Sequence, residues 1–387
     1  MITAERAETL RRRLQALGFD EVRFAGAEAG DPAPLLAWLE RGMHADMAWL
    51  ERTAAKRLDP RLVLPGVRSV VMLGVNYLPP ADAAAPAGSA PIWARYALYE
   101  DYHDTMKPAL VAAGRALEEL LGAGPADYRY YVDTGPVLER GRAERAGIGF
   151  LGKNGMLISP QHGNWLFLAA ILIRLELPPD APLRGAGQAR STGSRVGLLC
   201  GKCTRCIDAC PTQAIPQPGV VDARRCISYQ TIENKGVIPR ELRAGIGNHL
   251  YGCDVCLEVC PWNRFARAGR QMLLAGRSDL AALSLAEILA LTPARFAEVF
   301  RRTAVKRLKL AGLLRNACVV AGNSGDPDLL PALVRLAAHA SETVRAQAVA
   351  AVFSLAGERE GGVLLQAVRA RETAAVVRAE YPPDPPM

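Results

Sequence analysis

The sequence predicts an α+β protein that continues into a cysteine-rich module and then into an all-helical segment. Three observations predict it. Helix-like and strand-like stretches mix without regular βαβ alternation over residues 1–177. Eight of the nine cysteines fall between Cys200 and Cys260. Beyond Leu273 only helical periodicity remains. With 387 residues, 50% of them apolar and 22% charged, the chain is neither disordered as a whole nor suited to a single core.

Residues 4–17 place Leu10, Leu14 and Leu17 at helical spacing, and Gly18 stops the helix. Residues 21–25 read as a short strand and 35–50 as a second helix. Residues 69–77 are a compact, β-branched apolar run, the pattern of a buried strand. A loop is expected at 79–91, a helix at 106–121, a tyrosine-rich strand at 128–132 and a short charged helix at 139–146. Residues 157–159 and 165–173 read as two strands around a His162-Gly163-Asn164 turn. Residues 178–198, rich in Gly, Ala and Pro, form a linker or surface insertion ahead of the cysteine module at 199–268. In residues 269–387 helices are expected at 308–322, 328–338 and 341–355, with caps from Asp326-Pro-Asp328 and Ser341-Glu342. That spacing fits paired-helix repeats of the HEAT kind, and the Pro-rich tail at 381–387 is expected to fray.

Charge and cysteine usage narrow the function. The longest unbroken apolar stretch, residues 165–173, falls well short of the roughly 20 residues that cross a bilayer. Charge runs through the first turns, so no signal peptide is expected, and Arg11-Arg12-Arg13 reads as a solvated helix face. A net charge of +8 is compatible with a polyanionic partner. Nine cysteines without a secretory signal point to metal or redox chemistry in a reducing cytoplasm.

Cys200-x2-Cys203-x2-Cys206-x3-Cys210-Pro211 is the run with which bacterial ferredoxins hold [4Fe–4S] clusters. Zinc would need two separated pairs and four ligands. A second set, Cys226 and then Cys253-x2-Cys256-x3-Cys260-Pro261, keeps the same ending after a long insertion. By the crossed ligation of two-cluster ferredoxins, Cys200, Cys203, Cys206 and Cys260 hold one cluster and Cys210, Cys226, Cys253 and Cys256 the other. Such a ferredoxin-like pair carries single electrons at low potential, on the order of −400 mV. Cys318, on a helix, reads as a small core hydrophobe. Gly147-x-Gly149-x-x-Gly152-Lys153-Asn154 imitates a dinucleotide fingerprint, but no strand precedes it and no acid follows about 20 residues on. It reads better as a loop whose bare backbone approaches some other large planar cofactor.

The sequence resembles the epoxyqueuosine reductases, which complete queuosine synthesis in tRNA. The likeness rests on Ala94-Arg-Tyr96, Asp101-Tyr102-His103, Val132-Asp133-Thr134-Gly135-Pro136 and the stretch from Ala143 to Asn154. It continues through Ile158-Ser159-Pro160, Gly163-Asn164-Trp165, both cysteine sets, Tyr251-Gly252, Pro261-Trp-Asn263, Leu313-Leu-Arg-Asn316 and Gly322-Asn323. The resemblance implies an N-terminal cobalamin-binding domain, two [4Fe–4S] clusters feeding a base-off cobalamin, and reduction of an epoxide at the tRNA wobble position to an alkene. It implies Asp133 as proton donor, which needs a carboxyl that stays neutral near pH 7, as burial would allow. It places Arg57, Tyr96, Asp133, Ser159, Tyr251 and Gly252 against the cobalamin. For tRNA phosphates the basic run offers Arg301, Arg302, Lys306, Arg307, Lys309 and Arg315. A monomer served by a low-potential donor such as a flavodoxin or ferredoxin is expected. The rivals are a reductive dehalogenase, which usually carries the twin-arginine signal missing here, and a plain electron carrier, which needs no Asp133.

Overall fold

The computed structural model describes residues 2–79, 90–183 and 196–383. Most of the expected loop at 79–91 and of the insertion at 178–198, and the last four residues of the tail, lie outside the described residues. The chain packs into two compact units, each assembled from three stretches of sequence. The first comprises Met1–Ala84, Asp101–Ala223 and Val255–Ala275; the second comprises Ala85–Glu100, Arg224–Asp254 and Gly276–Met387. Residues 199–268 thus contribute to both. Among the described residues the strands are β1 (Glu21–Gly26), β2 (Ser69–Asn76), β3 (Ile92–Trp93), β4 (Tyr128–Val132), β5 (Phe150–Leu151), β6 (Leu157–Ile158), β7 (Leu166–Ile173) and β8 (His249–Tyr251).

The first unit is built on an antiparallel sheet in the order β1-β2-β7-β4. Its central strand β2 is buried at every position, so its apolar run serves both faces of the sheet. Val70 and Met72 meet Ala143 and Ala146 at the helix Glu139–Arg145, and by alternation Val71 and Leu73 face the other way. The helices Ala4–Ala16 and Tyr102–Leu121 pack on each other and on β1 and β4 respectively. The second of these starts a turn earlier than its apolar spacing predicts. Asp101 caps it by accepting from the His103 N–H, and its first turn is polar.

Two expectations fail here for local reasons. The helix expected over 35–50 breaks into Ala33–Glu40 and Ala48–Arg52. Between them Gly42 and Ala45 adopt left-handed φ values of 62° and 54°, which reverse the chain. The expected hairpin around Gly163 is absent because β6 pairs with β5, while Ser159 and Gly163 close a tight loop of their own.

In the second unit β3 and β8 pair in parallel. The helices Lys309–Ser324, Leu330–Leu336 and Glu342–Arg369 pack together around Leu313, Ala317, Val320, Leu333, Val349 and Val352. The last runs well past the expected residue 355, with a break at Gly357. Cys318 is fully buried in this core and burial pushes its thiol up, as suits a packing residue. No helix among the described residues is long and apolar enough to cross a membrane.

Candidate functional site

Asp133 stands where β4 ends. Its φ of 56° is left-handed, a conformation that Asp tolerates better than most side chains and that turns its carboxyl out of the sheet. The Tyr102 hydroxyl donates to Oδ2 at 2.7 Å. The Tyr102 ring stacks between His103, with centroids 4.1 Å apart, and Phe167 of β7, at 4.2 Å. His103 Nδ1 lies 2.7 Å from the buried Asp101 carboxylate, an acceptor only, so Nδ1 carries the proton. That bond aims Nε2 towards Asp133 Oδ2, 3.8 Å away and beyond hydrogen-bond reach. The helix start therefore supplies one hydroxyl and one imidazole edge to the same carboxylate. The burial expected for Asp133 is not provided by the chain itself, because 61% of the side chain is exposed.

A second acid nearby escaped the sequence reading. Glu139 opens the helix Glu139–Arg145, and its Oε1 is buried without a hydrogen-bond partner. Burial pushes its carboxyl up to about 7, and the negative charge of Asp133 adds to the effect while Arg57 and Arg140 oppose it. Arg57 is half-buried and donates to Thr53 Oγ1 at 2.9 Å. Ser159 is fully buried, and its hydroxyl accepts from the N–H groups of Gln161 and His162, so that oxygen is occupied in the turn.

Four of the cysteines form the second feature of this unit. Cys200, Cys203, Cys206 and Cys260 line one cavity together with Lys153, Asn154, Arg205 and Trp262. Burial raises the Cys206 thiol to about 11, with the neighbouring Cys200, Cys260 and Cys203 adding to the rise, so the four sulfurs act on one another. A chain of amides fixes the loops around them. Asn154 Nδ2 donates to Asn164 Oδ1 at 2.9 Å and to the Cys256 carbonyl at 3.3 Å. Asn164 donates to Asn263 Oδ1 at 3.2 Å, and Asn263 donates to the Leu257 carbonyl at 2.6 Å. The glycine-rich stretch brings its bare backbone against the protein itself. A Cβ on Gly149 would come within 2.4 Å of the Ile158 carbonyl, and one on Gly152 within 2.4 Å of the Ile158 side chain. These glycines let β5 and β6 close on each other.

In the second unit Tyr96 and Tyr251 lie with ring centroids 6.1 Å apart. Tyr251 is 1% exposed and its hydroxyl donates to the Ala304 carbonyl at 3.1 Å, so its phenol is committed to packing. Gly252 has a φ of 73°, and a Cβ there would lie 2.6 Å from that of Ala94. Of the basic run, Arg301, Arg302, Lys306, Arg307 and Lys309 are exposed. Arg302 pairs with Glu100 and Arg307 with Glu233. Arg315 is a correction. It is 1% exposed and donates to the carbonyls of Asn234, Gly236 and Gln230, which leaves no route to a phosphate.

Known proteins share this architecture. The family described as 4Fe-4S double cluster binding domain matches residues 199–263. The family described as Epoxyqueuosine reductase QueG, DUF1730 matches residues 57–134. The epoxyqueuosine reductase of Vibrio cholerae is 39% identical over 312 residues, 80% of each chain. That of Escherichia coli is 37% identical over 82% of this chain and 81% of its own. A crystal structure of epoxyqueuosine reductase with a tRNA-Tyr epoxyqueuosine-modified tRNA stem loop superposes with a TM-score of 0.83 at 29% identity, covering 96% of both chains. The Bacillus subtilis enzyme, described with a catalytic aspartate loop swung out of its active site, gives a TM-score of 0.81 at 29% identity and the same coverage.

Proposed function

The chain belongs to the epoxyqueuosine reductase family, and on that premise we propose that it reduces epoxyqueuosine to queuosine at the tRNA wobble position with Asp133 as proton donor. It is an oxidoreductase with a double [4Fe–4S] domain. Conversion of the epoxide to the alkene consumes two electrons and two protons and releases the oxygen as water. The observation that carries the role of Asp133 is its exposed carboxylate at a strand end, held by Tyr102 and faced by the His103 edge. The side chain is 61% exposed, and a modified base seated against it would shield the carboxyl from water. A site closed over by its substrate excludes water, and that favours a carboxylic acid able to donate its proton.

One cluster is assigned to Cys200, Cys203, Cys206 and Cys260, supported by their common cavity. The other goes to Cys210, Cys226, Cys253 and Cys256 on spacing. The resemblance implies base-off cobalamin, and the residues around Asp133 fit an amide-rich ligand: Arg57 offers a donor and Glu139 Oε1 an unmet acceptor. When bound, that cofactor would supply the low-potential electrons needed to cleave the two C–O bonds of the epoxide. Tyr96 and the Gly252 backbone are assigned to it by resemblance. Ser159 and the Tyr251 backbone are assigned to it on the same ground, the Tyr251 phenol itself donating to the Ala304 carbonyl. Arg301, Arg302, Lys306, Arg307 and Lys309 neutralise tRNA phosphates without reading sequence. The segments 1–177, 199–268 and 269–387 are assigned to cofactor binding, electron transfer and tRNA binding, the last as HEAT-like repeats. The reaction is placed in the cytoplasm, on a monomer fed by a flavodoxin or ferredoxin.

Anaerobic single-turnover reduction of epoxyqueuosine-containing tRNA tests this, with and without cobalamin, for wild type and Asp133→Asn. Cobalamin-dependent conversion that collapses in the variant, with cluster content unchanged, is the expected result. No conversion by fully loaded wild type overturns the substrate, and unimpaired conversion by D133N overturns the proton donor.

A further inference from the structure

Lys153 ends the glycine-rich motif, and nothing in the proposed reaction uses it. It sits just beyond β5, and its side-chain stem packs on Gly197, where a Cβ would approach Lys153 Cγ to 2.6 Å. From there the ammonium donates to the Gly201 carbonyl at 2.8 Å and to the Cys203 carbonyl at 3.0 Å. The Lys153 carbonyl accepts from the Gly219 N–H at 2.8 Å. Both ends of the residue are thus fixed on the wall of the cavity that Cys200, Cys203, Cys206 and Cys260 share. No carboxylate among the described residues pairs with the ammonium, and Arg205 is the other basic side chain lining the cavity.

We propose that Lys153 is a positioning residue that sets the reduction potential of the cluster held by Cys200, Cys203, Cys206 and Cys260. The inference rests on the ligand set assigned above. A four-thiolate [4Fe–4S] cluster is anionic, and taking one electron from a low-potential donor makes it more so. A fixed cation beside it stabilises the reduced form more than the oxidised one. Lys153 supplies that charge, so it raises the potential of this cluster relative to one without it. Its two carbonyl partners, Gly201 and Cys203, hold the charge beside the ligands, and the neighbouring Asn154 ties the loop to Asn164 and the Cys256 carbonyl.

The test is a redox titration of the anaerobically reconstituted full-length chain followed by electron paramagnetic resonance, with iron and labile sulfide measured alongside. Lys153→Met and Lys153→Gln remove the charge, Lys153→Arg keeps it, and Cys206→Ser identifies which transition belongs to this cluster. The expected result is wild-type iron in K153M or K153Q, a shift of the Cys206-dependent transition to more negative potential, and a much smaller shift in K153R. Unchanged potentials overturn the proposal, as does a shift confined to the other transition. Loss of iron from both neutral variants overturns it too, because Lys153 is then only a clamp for the loop. If C206S leaves both transitions intact, the ligand assignment is wrong, and the proposal falls with it.

Discussion

Two acids close to one another in the first unit meet different surroundings, and the difference has consequences for each. Asp133 is open to solvent and receives a hydroxyl proton from Tyr102. Glu139 is enclosed, with Oε1 unpaired, and its carboxyl sits at about 7 against an ordinary value of 4.5. Between those two values the folded chain holds a proton that the unfolded chain has released. Folding stability therefore falls as pH rises through that window and levels off above it. A shift of this size corresponds to ~3 kcal/mol at most. Glu139→Gln removes the cost, so the variant should melt above wild type at pH 8, with the gap narrowing as pH falls towards 5. Melting curves that stay parallel across that range would show that Glu139 is hydrated in the folded protein.

At the scale of elements, the helix Lys309–Ser324 combines two roles that the sequence alone does not separate. Lys309 at its start is exposed, whereas Arg315 and Asn316 are buried and bond carbonyls of residues 230–250. Arg315→Met should destabilise the chain by ~3 kcal/mol, because the buried Gln230 carbonyl and the part-buried carbonyls of Asn234 and Gly236 lose their donor. The salt dependence of tRNA binding should stay as in wild type. A changed salt slope at wild-type stability would restore Arg315 to the phosphate-binding set. The clue was present in Leu313-Leu314-Arg315-Asn316-Ala317-Cys318, where the neighbours of the arginine are apolar. Charge counting along the run hides it. Elements with strong periodicity or β-branched runs were legible, as β2 and β7 show, and so were the cysteines, whose spacing is itself the chemistry. Pairing partners were not, and caps only in part: Asp326 and Ser341 stand at the N-caps expected of them, whereas Asp101 was missed. Nothing local tells β6 to choose β5 over β7, and the polar turn that Asp101 caps has no apolar stripe to announce it. Glu139 is hidden for the same reason, since its enclosure is made by residues distant in sequence.

For the whole molecule, the excess of eight positive charges favours approach to a polyanion, and on the function proposed above the exposed basic side chains are its points of attachment. Binding of the modified tRNA should weaken steeply with salt. Arg301→Ala combined with Lys306→Ala should make the slope of log K against log salt shallower by about 0.7 to 0.9 for each phosphate no longer neutralised. Affinity measured at four or five salt concentrations checks this. An unchanged slope would move the phosphate-binding side chains elsewhere on the surface.

The interleaving of the two units also bears on how the chain is made. A ribosome delivers residues in order, yet the first unit ends only at Ala275, after the chain has twice left it for the second. Cys200, Cys203 and Cys206 emerge long before Cys260, the fourth sulfur on their cavity. At typical synthesis rates the stretch from Cys200 to Cys260 takes roughly 3 to 12 s. During it three thiols are on hand and the wall carrying the fourth does not exist. On the ligand set proposed above, insertion of this cluster is therefore a late event in the life of the nascent chain, and truncation before Cys260 should forfeit it.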